Sequence, residues 1–197
     1  MKNNNESIKK AAALLHAGKV IAYPTEGMYG LGCDPFNRLA VLKIMKLKKR
    51  QLKKGLILVG YSFDQFKELM HEVPEDTLSA VSRTWPGPIT WVFPATPKAP
   101  KWITGNRHTL AIRVSAHPVV QEFCRAFNNP IVSTSANLEG NPPIYTQTAL
   151  KETLGKQLDM IVPGKIGERR CASEIRDVMT GKVIRPGMIV HNNNHAT

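Results

Sequence analysis

The stretch TLAIRVSAHPVVQEFCRAFNNPIVSTSAN, residues 109–137, decides the fold class of this 197-residue chain. Apolar and β-branched residues at 109–114 and 130–134 predict two buried strands. The segment between them, residues 117–127, predicts a helix. A strand, a helix and a second strand in succession are typical of an α/β domain.

The same alternation of apolar and polar segments runs through the rest of the chain. It predicts helices at 7–17, 37–47, 62–70, 75–84 and 146–154, and strands at 20–23, 56–59, 89–93, 158–162, 174–179 and 182–185. The last strands lie too close together for helical crossovers, so we expect a mixed sheet. We therefore expect one α/β (α+β) domain over residues 1–197, with a core at about 7–187 and mobile Asn-rich ends at 1–5 and 191–197.

The composition is strongly basic, with 27 Lys plus Arg, 15 Asp plus Glu and a net charge of +12 at pH 7. A hydrophobic content of 42% supports a packed core and excludes a wholly disordered or fibrous protein. No apolar run approaches the ~18 to 20 residues that a membrane span needs, and the amino terminus lacks the apolar segment of a secretory signal. We expect a cytoplasmic protein that does not contact membranes.

Cysteine and histidine spacing gives no indication of a structural metal. Cys33, Cys124 and Cys171 form no CxxC pair, and an odd number suits neither a disulfide framework nor a four-thiolate zinc site. Only His191 and His195 have helical i, i+4 spacing, and they lie in a polar tail. We expect structural or incidental thiols and no structural metal.

Residues 43–54, KIMKLKKRQLKK, contain seven basic side chains and no acidic one. Such a block is typical either of a solvated helix face or of a site for polyanions, such as nucleotide phosphates or nucleic acid. Lys48 and Arg50 are two positions apart in the sequence. Side chains with this spacing point to the same side only on an extended segment. If both bind one ligand, the helix must end before Lys48.

Small hydroxyl and amide residues follow the strand predicted at 130–134, in the sequence STSAN. Ligands of open α/β sheets bind beyond the carboxyl ends of strands, so these side chains either donate hydrogen bonds to a ligand or cap a local turn. The glycines of EGMYGLGCD, residues 26–34, have the wrong order for a GxGxxG site and favour a tight turn with close backbone packing. The chain has no P-loop and no GxSxG elbow, which disfavours a P-loop nucleotide site and a serine hydrolase.

Several segments together carry a family resemblance. They are YPTEGMYGLGCDP at 23–35, KKR at 48–50 with KGLILV at 54–59, WPGPIT at 85–90, LAIRVSAHP at 110–118, STSAN at 133–137, SEIRD at 173–177 and IRPG at 184–187. In this order, over about residues 7–187, they resemble the YrdC/TsaC family of threonylcarbamoyl-AMP synthases in its short, single-domain form.

The resemblance implies a twisted mixed sheet with flanking helices around a large, positively charged cavity. It implies an L-threonylcarbamoyladenylate synthase, a nucleotidyltransferase that converts ATP, L-threonine and bicarbonate or CO2 to threonylcarbamoyl-AMP and pyrophosphate, with Mg2+ accompanying ATP. The product would serve threonylcarbamoyladenosine formation in tRNA through a separate transferase complex. The amine of threonine would capture CO2, and the carbamate would attack the α-phosphorus without a covalent nucleophile on the enzyme.

The resemblance also assigns candidate site residues. The KxR motif of the family falls on Lys48 and Arg50, the expected catalytic residues, and its SxN motif falls on Ser135 and Asn137. The positions expected to contact ATP or threonine are Thr25, Lys48, Arg50, Thr109, Arg113, Ser133, Ser135, Asn137, Ser173 and Arg185.

Three positions depart from the family pattern. Gly27 stands where a Thr or another side chain is more usual, which removes any contact from that side chain. Gln51 and Ala172 each replace a usual Pro. Pro after Arg50 would have disfavoured a helical conformation at that arginine, so this restraint is absent.

A protein of a different class would also explain the basic block, namely a non-enzymatic RNA-binding or ribosome-maturation factor. Single-strand RNA binders usually stack bases on aromatic side chains. Only 7% of this chain is aromatic, and no aromatic residue occurs in 43–54. The composition therefore favours the synthase over the RNA-binding factor.

Overall fold

The structure, a computed structural model, describes residues 2–138, 140–169 and 171–187. The helices are α1 (Lys2–His16), α2 (Arg38–Lys48), α3 (Glu75–Ser82), α4 (Lys101–Thr104), α5 (Pro118–Phe127) and α6 (Gln147–Leu154). The 3-10 helices are Leu52–Lys54, Phe63–Leu69 and Gly155–Gln157. The strands are β1 (Ile21–Pro24), β2 (Tyr29–Gly32), β3 (Ile57–Gly60), β4 (Ile89–Pro94), β5 (Thr109–Val114), β6 (Ile131–Ser135), β7 (Met160–Ile161), β8 (Glu174–Asp177) and β9 (Val183–Arg185).

In the part of the chain that the structure describes, nine strands form one mixed sheet in the order β7-β1-β2-β6-β3-β5-β4-β8-β9. The pairs β7–β1, β3–β5 and β4–β8 are parallel, and the other neighbours are antiparallel. In the central strand β3, Leu58 lies opposite Ile112 of β5 and Val132 of β6. This arrangement confirms the predicted mixed α/β sheet, and its last two strands, β8 and β9, pair antiparallel.

Two buried clusters of apolar side chains hold helices against the sheet. Ile8, Ala11, Ala12 and Leu15 of α1 pack with α5 and with Ile21 and Tyr23 of β1, in one cluster. Ala22, between those two strand residues, belongs instead to the cluster that contains α2 and α6. Because successive strand residues point to opposite faces, the sheet is covered by helices on both sides.

Most predicted element boundaries agree with the structure to within one or two residues. Asn37 caps α2 as predicted, because its side chain accepts a hydrogen bond from the backbone N–H of Ala40 at 3.1 Å. Gly18 follows the end of α1 with φ +68°, a conformation that suits glycine. The amino-terminal helix begins at Lys2, not at residue 7, so the Asn-rich residues 3–5 are helical. The tail at 191–197, expected to be mobile, lies outside the described residues.

Several elements differ from the sequence prediction. The helix predicted at 62–70 is a 3-10 helix, Phe63–Leu69, in which the buried Phe66 and Leu69 are spaced by three. That spacing repeats on one side of a helix with three residues per turn. Strand β2 and the short helix α4 were not predicted; β2 reads YGLG, and glycine is depleted in strands.

Among the described residues, no helix has the length and apolar character that a membrane crossing requires.

Candidate active site

A cavity of about 480 Å³ opens beside the β1–β2 turn and the ends of β5, β6, β8 and β9. Eight of the ten predicted site residues line it: Thr25, Arg50, Thr109, Arg113, Ser133, Ser135, Ser173 and Arg185. Lys48 and Asn137 do not line the cavity, although both contact Ser135. The fold therefore brings together residues that are up to 160 positions apart in the sequence.

The lining of this cavity is predominantly basic. Among the described lining residues, the basic ones are Arg50, Lys54, Arg107, Arg113, Arg169 and Arg185, and the acidic ones are Glu26 and Asp177. Low-dielectric walls lined by charges of one sign concentrate the field and attract the opposite charge. The cavity is therefore suited to a polyanion, in agreement with the positively charged cavity that the family resemblance implies.

Lys48 is buried behind the cavity wall, with 3% of its surface exposed. Its Nζ donates to the backbone oxygen of Asn137 at 2.7 Å and to Asn137 Oδ1 at 3.0 Å, and it also bonds the backbone oxygen of Ser135. Ser135 Oγ donates to the same Oδ1 at 2.6 Å. The two motifs are thus one network, in which the lysine holds the turn after β6.

Helix α2 ends at Lys48 and not before it, which corrects the expectation from the sequence. Lys49 then takes a left-handed conformation, φ +54°, and the backbone N–H of Arg50 donates back to the oxygen of Met45 at 2.9 Å. The reversal directs Arg50 away from the helix axis and into the cavity wall, where its Nη2 donates to the backbone oxygen of Gly55 at 3.1 Å. Lys48 and Arg50 therefore point to different places, one behind the wall and one into it.

Arg185 of β9 lines the other side of the cavity and is tied to Ser173. Its Nη2 donates to the backbone oxygen of Ser173 at 2.6 Å and to Ser173 Oγ at 3.3 Å. Thr90 Oγ1 donates to the same Oγ at 2.9 Å. Burial lowers the pKa of Arg185, and the positive charge of Arg50 lowers it further. An anion bound beside these two guanidinium groups would relieve this repulsion.

Glu26 and Arg113 form a buried ion pair in the same wall. Arg113 Nη1 lies 2.7 Å from Glu26 Oε2, and the two side chains are 8% and 16% exposed. Ser115 Oγ and the backbone N–H of Ala116 donate to Glu26 Oε1 at 2.6 and 3.0 Å. Burial by itself would raise the pKa of Glu26, but the charge of Arg113 and these hydrogen bonds lower it to about 2.

Thr25 lines the cavity and stabilises the turn between β1 and β2. Its Oγ1 donates to the backbone oxygen of Met28 at 2.7 Å, and its own backbone N–H donates to the same oxygen at 3.1 Å. The hydroxyl thereby closes the β1–β2 turn. Thr109 and Ser133 lie in the cavity wall on β5 and β6.

A segment without regular secondary structure lies across the β1–β2 turn. The backbone N–H groups of Gly167 and Arg169 donate to the backbone oxygens of Thr25 and Glu26 at 2.9 and 3.2 Å. A Cβ atom at Gly27 would stand 2.4 Å from the backbone oxygen of Cys171. The glycine at position 27, unusual for the motif, therefore leaves the space that the segment carrying Cys171 and Ala172 occupies.

Five charged residues of the cavity were not among the predicted site residues, namely Glu26, Lys54, Arg107, Arg169 and Asp177. Lys54 lies within the basic block, Glu26 lies within the motif at 23–35, and Asp177 lies within the motif at 173–177, so these three had a local sequence signal. Arg107 and Arg169 had none, because nothing in their neighbouring residues distinguishes them from surface arginines. Among the residues that the structure describes, no group of three or more His, Cys, Asp or Glu side chains is arranged to hold a metal ion.

Comparisons with known proteins place the chain in a family. The Sua5/YciO/YrdC family, whose description reads "Telomere recombination", matches residues 13–187. The chain belongs to this family, which confirms the resemblance seen in the sequence. It is 45% identical over 185 residues to a protein of Coxiella burnetii named threonylcarbamoyl-AMP synthase, an alignment that covers 94% of this chain and all of the relative. It is 46% identical over 180 residues to a Pseudomonas putida protein of the same name, covering 91% of this chain and 97% of the relative.

Solved structures share the fold. The crystal structure of P. abyssi Sua5 complexed with L-threonine superimposes with a TM-score of 0.87 and 32% identity, covering 93% of this chain. This chain spans 54% of the length of that protein. E. coli YciO, at 24% identity, has a TM-score of 0.83 over 94% of this chain and 91% of its own, and supports the fold alone.

Proposed function

We propose that this chain is a threonylcarbamoyl-AMP synthase, which joins ATP, L-threonine and bicarbonate or CO2 and releases pyrophosphate. The observation that carries the proposal is the basic cavity beneath the turn that Lys48, Ser135 and Asn137 form. The full-length match to relatives of that name supports it. The threonine complex of P. abyssi Sua5 supports L-threonine as one of the substrates.

The side chains suit catalysis by positioning. Arg50 and Arg185 would bind phosphate oxygens and the carboxylate of threonine through charge-assisted hydrogen bonds. Ser135 would donate to bound nucleotide, while Lys48 and Asn137 hold its turn in place. Holding the carbamate in line with the α-phosphorus and neutralising the charge that develops there are the contributions a protein makes to such a transfer.

Mg2+ would enter this site with ATP. The two carboxylates in the described lining are already engaged, since Glu26 pairs with Arg113 and Asp177 Oδ1 accepts from the backbone and hydroxyl of Thr180 at 2.8 and 3.0 Å. Phosphate oxygens and water, which Mg2+ prefers as ligands, would therefore hold the ion. Its chemistry there would be to neutralise phosphate charge, while the arginines orient the nucleotide.

The wider role belongs to the same proposal. The product would pass to a separate transferase complex that modifies tRNA adenosine next to the anticodon, in the cytoplasm. Because the cavity is basic, tRNA is a further candidate ligand of its rim. The chain alone would not modify tRNA.

Pyrophosphate release by the purified chain tests the proposal. Release should require ATP, L-threonine and bicarbonate together with Mg2+, and omission of threonine alone should reduce it to background. The same assay with L-serine in place of L-threonine is the control for specificity towards the amino acid. Absence of ATP turnover in every combination, with tight binding of tRNA, would instead identify an RNA-binding factor.

A further inference from the structure

The Glu26 carboxylate joins two segments that are far apart in sequence. Glu26 lies in the turn between β1 and β2, whereas Arg113, Ser115 and Ala116 lie at the end of β5. One carboxylate oxygen accepts from Ser115 and Ala116, and the other contacts the guanidinium. Both oxygens of Glu26 therefore have partners, and the carboxylate fixes the orientation of Arg113.

The charge of this pair is balanced within the wall of the cavity. Glu26 and Arg113 are both largely buried, and removing one partner of such a pair leaves an uncompensated buried charge. Because Glu26 already compensates the charge of Arg113, this guanidinium attracts a second anion less strongly than one without a carboxylate partner would. Arg113 thus differs from the other basic residues of the lining, although it shares the cavity with them.

Arg185 differs from Arg113 in the groups that surround its guanidinium. Its guanidinium bonds the oxygen atoms of Ser173, which carry no net charge, and it is close enough to Arg50 for the two positive charges to repel. A bound anion would lower the free energy of these two residues, whereas it would have to compete with Glu26 for Arg113. The two kinds of arginine should therefore respond differently to a polyphosphate.

We propose that Glu26 is a positioning residue that keeps Arg113 out of polyphosphate binding, so that bound phosphate groups interact with Arg50 and Arg185. The inference rests on the proposed function in its choice of pyrophosphate as the anion. Pyrophosphate is the product that must leave after each turnover, and an uncompensated charge on Arg113 would slow its departure. Glu26 thereby limits the affinity of the site for this product.

Binding of inorganic pyrophosphate, measured by calorimetry without the other substrates, tests this role. The double variant Glu26→Gln/Arg113→Gln replaces the ion pair by two neutral side chains and should bind pyrophosphate within about threefold of the wild type. The single variant Glu26→Gln frees the charge of Arg113 and should bind it at least about tenfold more tightly, or about 1.4 kcal/mol. Arg185→Gln should bind it at least about tenfold more weakly. Glu72→Gln, at an exposed position, controls for the change in overall charge.

The outcomes separate this role from others. A tenfold loss of affinity in the double variant would mean that Arg113 binds the anion directly, which overturns the inference. If Glu26→Gln does not fold, the pyrophosphate affinity of the double variant still tests whether Arg113 binds the anion. If Glu26 has a purely structural role, the single variant should not bind pyrophosphate more tightly than the wild type. A wild-type chain that binds no pyrophosphate also overturns the inference. Normal pyrophosphate binding without synthase activity would overturn only the proposed function.

Discussion

Buried behind the cavity wall, the ammonium group of Lys48 bonds the backbone oxygens of the Ser135–Asn137 turn. A buried lysine is stable only where such acceptors surround it, and these acceptors would be left unsatisfied without it. The residue therefore supports the site and the fold at once. Its predicted direct contact with phosphate, and the roles of the other site residues, stay predictions.

Lys48→Ala should lower synthase activity at least ~10-fold, equivalent to ~1.4 kcal/mol. It should also lower the free energy of unfolding by about 1 to 3 kcal/mol, because buried acceptors lose their donor. Lys46→Ala, at an exposed position of the same helix, is the matched control and should change both quantities little. Pyrophosphate release and urea denaturation of the two variants check this. Equal losses of activity in both variants would reject a specific role for Lys48. Lost activity with unchanged stability in Lys48→Ala would mean that Lys48 contacts the ligand directly.

Gly27→Thr introduces a Cβ atom where the backbone oxygen of Cys171 stands, 2.4 Å away. The segment from Cys171 to Ser173 must move, and Ser173 is the partner of Arg185. We expect activity to fall at least ~10-fold and the free energy of unfolding to fall by about 1 to 3 kcal/mol, the range for overpacking. Gly155→Ala is the control, because the nearest atom to its Cβ would be 3.8 Å away. A fully active and stable Gly27→Thr variant would show that the segment tolerates displacement.

The end of α2 determines where Arg50 points. The left-handed residue Lys49, with φ +54°, reverses the chain between the buried Lys48 and the cavity-lining Arg50. An L-residue pays a steric penalty in this conformation, and glycine does not. The sequence places Lys at this position, so the helix end is less stable than it could be.

Lys49→Gly should raise the free energy of unfolding by about 0.5 to 1 kcal/mol, since the steric penalty exceeds the entropic cost of glycine. Lys49→Val should lower it, because a β-branched side chain suits this conformation least. Activity should stay near the wild-type value in the glycine variant, since the path of the backbone is kept. Urea denaturation of the three proteins measures the effect. A less stable glycine variant would mean that the side chain of Lys49 contributes contacts of its own.

Helices and strands whose apolar residues repeat at a regular spacing were predictable from the sequence. Elements rich in glycine were not. The apolar spacing in α1 and α2, and the cap at Asn37, predicted both helices, although α1 begins five residues before the predicted start. Strand β2 carries two glycines, and its place in the sheet depends on close packing that a local pattern does not reveal. A Cβ at Gly32 would stand 2.8 Å from the ring of Tyr23 and 2.9 Å from the oxygen of Val132.

At the scale of the whole molecule, the cavity depends on contacts between distant segments. Family motifs identified eight residues that line it, but the ion pair between Glu26 and Arg113 spans 87 positions and has no local signature. Nor did the motifs indicate that Lys48 would hold a turn from behind the wall. Pairing of charges across the sheet is decided by topology, which the order of motifs alone does not specify.

The same ion pair should make the stability of the whole molecule depend on acid pH. The pKa of Glu26 is about 2 in the folded chain, against an ordinary value of 4.5. Because the folded state lowers this pKa, the stabilisation is fully present above about pH 4.5 and is lost as pH falls through about 2. The difference corresponds to about 3 kcal/mol of unfolding free energy.

Urea denaturation of the wild type and of Glu26→Gln between pH 2 and pH 6 measures this contribution. The free energies of unfolding should differ most near pH 6, where the carboxylate is ionised in both states, and should converge towards pH 2, where the wild type loses its ion pair. Glu72→Gln, which changes an exposed carboxyl group, should run parallel to the wild type because interactions of exposed charges contribute little to stability. A constant difference between wild type and Glu26→Gln across the whole range would show that packing, and not the charge of Glu26, accounts for its effect on stability.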